Sequence, residues 1–273
     1  MKRPSRREFL GAAVGLAATG SVRAGMVDLI IARRYRMVDD QVARYRGPVQ
    51  ASGFLDQPAF AMDDCQRLPQ VPYCPQPGDV MLSQTRGLLY TAGHRIAGAV
   101  QPSHSGFVCR RSDGTIVIME AGSFDVAVIR SIGLTEHLSA YHNRKHVWIR
   151  PRCVPLTPEQ DCRLTEFAER QEGKRFARYR VYAQVTPFRS RGRLRTEFLG
   201  GPHGPDRRSY FCAEMATEAM VYAGLIPAED TRPAATYPCD LFFDDSKVPF
   251  LDRHFKLSRF GWGVPCRWRP LPV

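Results

Sequence analysis

Two apolar runs flanking an Asp-Gly pair constrain this chain more than any other feature. Residues 104–110 read HSGFVCR, residues 115–121 read TIVIMEA, and Asp113-Gly114 lies between them. Runs rich in β-branched and aromatic residues pack well on a pleated surface, and Asp-Gly adopts the positive φ that a tight hairpin needs. Further short apolar runs at 78–82 (GDVML), 127–132 (AVIRSI) and 146–151 (HVWIRP) make the middle of the chain a mainly antiparallel sheet. Helical signals lie on both sides of it. Apolar positions 30, 31, 35, 38 and 42 suggest a leading helix, and Thr157, Pro158 and Gln160 open a capped helix that Gly173 ends. The expectation is an α+β fold.

The stretch SYFCAEMATEAMVYAGLIP (209–227) reads as a helix with Ser209 as its N-cap and Cys212 in its first turn. Unpaired N–H groups and the helix dipole favour a thiolate there. Met215, Ala219, Met220 and Ala223 take core spacing. A thiol nucleophile wants an imidazole base and the imidazole an orienting group. His104 opens one strand of the hairpin and Glu120 nears the end of the other. A pairing sum of about 225 sets Glu120 opposite residue 105, beside His104. Glu214 reads as a first-turn acid that favours the dipole, not as a catalyst.

These residues, with Gly78-Asp79 and Cys212-Ala213-Glu214, resemble in their order the circularly permuted branch of the papain-like NlpC superfamily, which includes YiiX-like proteins and lecithin–retinol acyltransferase. In that branch the histidine strand precedes the cysteine helix. The resemblance spans about residues 76–245 and includes VWIRP and FAERQEGKRF. It implies a papain-like fold with the sheet against the cysteine helix, and a site of Cys212, His104 and Glu120 needing neither metal nor cofactor. Ala213 stands where the family has serine, and the basic 176–208 segment lies outside its pattern. The implied activity is acyl-enzyme hydrolysis, with cell-wall peptides the expected substrate because residues 1–24 resemble an export signal. A lipid acyltransferase, thioesterase or lipid hydrolase, an inactive binding module, and an envelope scaffold with a disulfide-bonded Cys212 are the alternatives.

Residues 1–24 do not read as fold material. Ser5-Arg6-Arg7-Glu8-Phe9-Leu10 resembles a twin-arginine export signal, and Val22 and Ala24 suit cleavage before Gly25. This implies a bacterial protein delivered by the twin-arginine machinery to the periplasm or beyond. The domains expected are the leader (1–24), a helix with a Cys- and Pro-containing loop (25–75) and a catalytic domain (76–273). No apolar run reaches the ~18 residues that would span a membrane. The chain carries a net charge of +12. Lys2, Arg3, Arg6, Arg7 and Arg23 against Glu8 leave +8 from Gly25 onward. Such a protein is drawn to anionic envelope surfaces, and no nucleic-acid motif appears.

Eight cysteines would permit disulfides in an oxidising compartment, with Cys65–Cys74 and Cys153–Cys162 the nearest in sequence. His137, His142 and His146 read as a solvated loop rather than a metal site, since no carboxylate cluster accompanies them. Arg189, Arg191, Arg193 and Arg195 read either as a solvated loop or as a guide for an anionic substrate. The 225–273 tail is expected to pack across the surface.

Overall fold

Eight strands form one antiparallel sheet in the computed structural model, which describes residues 51–56, 70–84, 88–122, 127–144, 146–184, 186–187, 191, 196, 200–244 and 255–271. In chain order the elements are β1 (Phe54–Asp56), β2 (Gln70–Pro72), β3 (Val80–Ser83), α1 (Leu88–Ile96), β4 (His104–Arg110), β5 (Ile116–Ala121), β6 (Ile129–Gly133), α2 (Leu134–His142) and β7 (Val147–Arg150). They continue with α3 (Pro158–Gln171), β8 (Arg175–Phe176), α4 (Arg178–Ala183), β9 (Ser209–Tyr210), α5 (Cys212–Tyr222), α6 (Pro238–Phe243) and β10 (Cys266–Arg269). The sheet order is β2-β1-β10-β7-β3-β4-β5-β6, and β8 and β9 form a small parallel pair. The expected leading helix and the leader lie outside the described residues.

The β4–β5 hairpin forms where the sequence places it. Gly114 takes φ +86°, Thr115 N–H donates to Asp113 Oδ1 at 2.8 Å, and Arg111 N–H donates to the Thr115 carbonyl at 2.9 Å. The register differs by one residue from the expected sum. Glu120 pairs with Gly106, not with residue 105. The difference matters because a one-residue slip turns every side chain to the other face. In the observed register His104 and Glu120 are diagonal neighbours on one face; in the expected one they would have pointed apart. A Cβ on Gly106 would meet the Met119 carbonyl at 2.8 Å, so the HSG sequence needs its glycine for close strand packing.

Alternation then sorts the core. Phe107, Cys109, Val117 and Met119 face α3 and α5, packing on Leu164, Phe167, Ala213, Met215 and Ala216. Met81, Val108, Ile118 and Ile149 face α2, packing on Leu134, Leu138 and Tyr141. Every residue of α5 from Cys212 to Met220 is buried. Its alanines let the helix approach the sheet, and each buried methionine contributes roughly 1.5–3 kcal/mol. The α+β architecture, with an antiparallel sheet against the helix carrying Cys212, is as the sequence indicated. So is the capping box of α3, in which Thr157 Oγ1 accepts from Gln160 N–H and Gln160 Oε1 from Thr157 N–H.

The C-terminal tail differs from expectation. Rather than crossing the surface, it inserts β10 between β1 and β7, with Cys266 and Trp268 fully buried. The start of α5 differs too: Phe211 is the N-cap and Ser209 belongs to β9. Gly78-Asp79 acts as a clasp. The buried Asp79 carboxylate accepts from Tyr73 Oη (2.9 Å), Gln76 N–H (3.0 Å) and Arg152 N–H (2.7 Å), tying the start of β3 to two loops.

Candidate active site

Cys212 is the first residue of α5, so its own N–H has no partner within the helix. Its thiol is buried, bears no disulfide, and hydrogen-bonds the His104 imidazole and the Ser105 backbone N–H. His104 opens β4 at the end of the sheet. From there its ring reaches Cys212, while its Nε2 lies 3.0 Å from Glu120 Oε2. The structure therefore brings together all three residues that the sequence singled out.

The same Glu120 oxygen has two further neighbours, both from α2. Tyr141 Oη donates to it at 2.9 Å, and His137 Nε2 stands 2.9 Å away. The Tyr141 ring stacks on His104 at 5.6 Å and meets His137 edge-on at 4.7 Å. Arg130 Nη2 comes within 3.9 Å of Glu120 Oε1. The polar row thus runs from the α2 layer, around the end of the sheet, to the α5 layer.

Electrostatics follow from this geometry. Burial alone would weaken the Glu120 acid, yet His104 and His137 outweigh it and hold the carboxyl well below the usual range. Burial would likewise lower the His104 imidazole, but hydrogen bonds to Cys212 and Glu120 lift it to about 10. Burial would raise the Cys212 thiol, but His104 and the Ser105 N–H bring it down. The favoured form is a thiolate beside an imidazolium. Half-buried His94 on α1 moves the opposite way, to about 4, through burial and the charge of His104.

His137 and Tyr141 are the residues the sequence reading missed. His137 is not in a solvated loop; it is 4% exposed on α2 and faces the carboxylate. The signal was present, because Leu134, Leu138 and Tyr141 take the i, i+4, i+7 spacing of a buried helix face and His137 falls on that face. His142 and His146 lie apart, near the rings of Trp268 and Trp148. Among the described residues no group of three or more His, Cys, Asp or Glu is placed to hold a metal ion.

Glu214 serves the scaffold. Its carboxylate accepts from Phe211 N–H at 3.1 Å, receives both terminal nitrogens of Arg180 at 2.6 and 2.7 Å, and pairs with Arg207 at 2.6 Å. Arg191 is not solvated. It is buried, pairs with Asp240 at 2.6 Å and lies over the Tyr237 ring at 4.1 Å. Arg189, Arg193, Arg195 and Cys65 lie outside the described residues. Cys162 is exposed and unbridged on α3, so no Cys153–Cys162 bond forms.

No family model matches the chain, and no curated protein matches it. Among solved structures it is similar to YiiX from Escherichia coli O157:H7, described as a metalloprotein, with a TM-score of 0.40 and 15% identity. The match covers 74% of this chain and 100% of that one.

Proposed function

We propose that the chain is a cysteine hydrolase working through an acyl-enzyme. The observation that carries this reading is the row Cys212–His104–Glu120, a buried thiol hydrogen-bonded to an imidazole whose far nitrogen lies 3.0 Å from a carboxylate. The Cys212 thiolate attacks a carbonyl carbon. The resulting oxyanion is stabilised by the Cys212 N–H at the start of α5. The tetrahedral intermediate collapses as His104 gives its proton to the leaving amine or alcohol, leaving a thioester on Cys212. His104 next accepts a proton from the attacking water. Collapse of the second intermediate releases the acid, and the thiolate and imidazolium are restored. Glu120 orients and charges His104, and His137 and Tyr141 hold Glu120.

The first substrate class is the amide bond of cell-wall peptides, because residues 1–24 resemble an export signal. Acyl esters of lipids form a second reading, favoured by two exposed tyrosines on α4, which is tied to the start of the cysteine helix by Arg180 and Glu214. An activated p-nitrophenyl ester tests the chemistry without a choice of substrate. Mass spectrometry should show one acyl group on Cys212 and none after Cys212→Ala. Acylation elsewhere, or undiminished p-nitrophenol release by Cys212→Ala, would refute the mechanism.

A further inference from the structure

The short helix α4 is built with its polarity reversed. One of its two arginines turns inward, where Arg180 grips Glu214 and donates to the Ser209 carbonyl at 2.6 Å, and Val181 packs against the core. Its tyrosines turn outward: Tyr179 is 91% exposed and Tyr182 69%. Exposing two aromatic rings three residues apart on one helix face forgoes the burial that either could gain.

The surroundings are cationic. Arg178 is exposed and lies four residues before Tyr182, on the same face. Arg175, also exposed, pairs with Ser209 across the β8–β9 ladder, and exposed Arg208 precedes that serine. Val128, 37% exposed, bridges to Arg175 and adds apolar surface. Among the described residues no ion pair engages Arg175, Arg178 or Arg208.

We infer that this face, formed by Tyr179 and Tyr182 with Arg175, Arg178 and Arg208, docks the protein on an anionic phospholipid surface. Phenol rings suit the boundary between headgroups and acyl chains, and arginines beside them meet the lipid phosphates. A net charge of +12 supplies long-range attraction to the same surface. A six-residue helix can lie on such a surface without entering it deeply. This docking does not depend on the chemistry of Cys212.

Cosedimentation of the full chain with vesicles tests it, using phosphatidylcholine alone and phosphatidylcholine mixed with phosphatidylglycerol. The chain should pellet with the mixed vesicles, weakly with phosphatidylcholine, and less as salt rises. The double variants Tyr179→Ser with Tyr182→Ser, and Arg175→Gln with Arg178→Gln, should each weaken binding on the order of tenfold. Both should keep the wild-type far-ultraviolet circular dichroism and the wild-type rate of Cys212 alkylation. Equal binding to both vesicle types, no binding to either, or variants that bind like the wild type would overturn the inference. Soluble polyglutamate supplies the remaining arm. If it binds as well as the vesicles do, and losing the arginines weakens it while losing the tyrosines does not, the face takes an acidic polymer and the lipid assignment fails.

Discussion

Glu120 and Glu214 are equally buried, each without exposed surface, and each is held close to Cys212 by basic side chains. They differ in what those side chains can do. Glu214 is held by Arg180 and Arg207, whose guanidinium groups only donate. Glu120 is held by His104 and His137, whose ring nitrogens can either donate or accept. Burial and pairing therefore do not mark such a carboxylate; what its partners can donate and accept does. Glu214 fastens α4 to the first turn of α5, and Glu120, after Cys212, favours the charged form of the imidazole facing the thiol.

His104→Ala should have the largest effect. Formation of the Cys212 acyl adduct from the p-nitrophenyl ester should fall by about 10²–10⁴-fold, read by stopped-flow release, because the thiol loses its base. Glu120→Gln should cost on the order of tenfold to a hundredfold in the same assay, since the imidazole remains but is no longer held in line. Replacing the other carboxylate should give the opposite pattern. Glu214→Gln leaves two arginines without their anion, and their partial exposure (28% and 23%) limits the loss to about 1–3 kcal/mol. At about 2–4 °C per kcal/mol the melting temperature should drop by several degrees. Cys212 alkylation in the folded variant should change by less than about fivefold. A Glu214→Gln variant that keeps its melting temperature but loses acylation would erase the distinction between the two carboxylates. His137→Gln should have the smallest effect, a few-fold slowing that His137→Ala enlarges, because glutamine can still donate to Glu120.

Much of this was legible in the sequence, for local reasons. The hairpin declares itself through Asp113-Gly114, and α3 through its capping box, because turn and cap chemistry act over a few residues. His104, Glu120 and Cys212 were marked by residue type at the ends of such elements. Non-local pairing was harder to see. β10 is only CRWR, four residues whose buried alternation, Cys266 and Trp268, makes sense only once β1 and β7 flank it. The one-residue register difference was invisible for the same reason, since it is fixed by packing on both sheet faces and by the close approach at Gly106. α2 is nine residues with a single acid and no side-chain N-cap, so neither capping nor charge announced it. Missing that helix removed His137 and Tyr141 from the site.

The central claim is that Cys212 rests as a thiolate paired with the His104 imidazolium. The most direct measurement is the rate of Cys212 alkylation against pH in the folded protein, wild type and His104→Ala, read by peptide mass spectrometry. A thiol held below its ordinary value is ionised at every pH above its lowered pKa, and the imidazolium keeps its charge until about 10. The wild-type rate should therefore already be high at pH 6.5 and stay nearly flat through the range where a free thiol titrates, about 8.5. The His104→Ala rate should instead climb through that range, starting on the order of 10²-fold lower at pH 6.5. A wild-type rate that rises through pH 8.5 like a free thiol, with His104→Ala superimposed on it, would contradict the account.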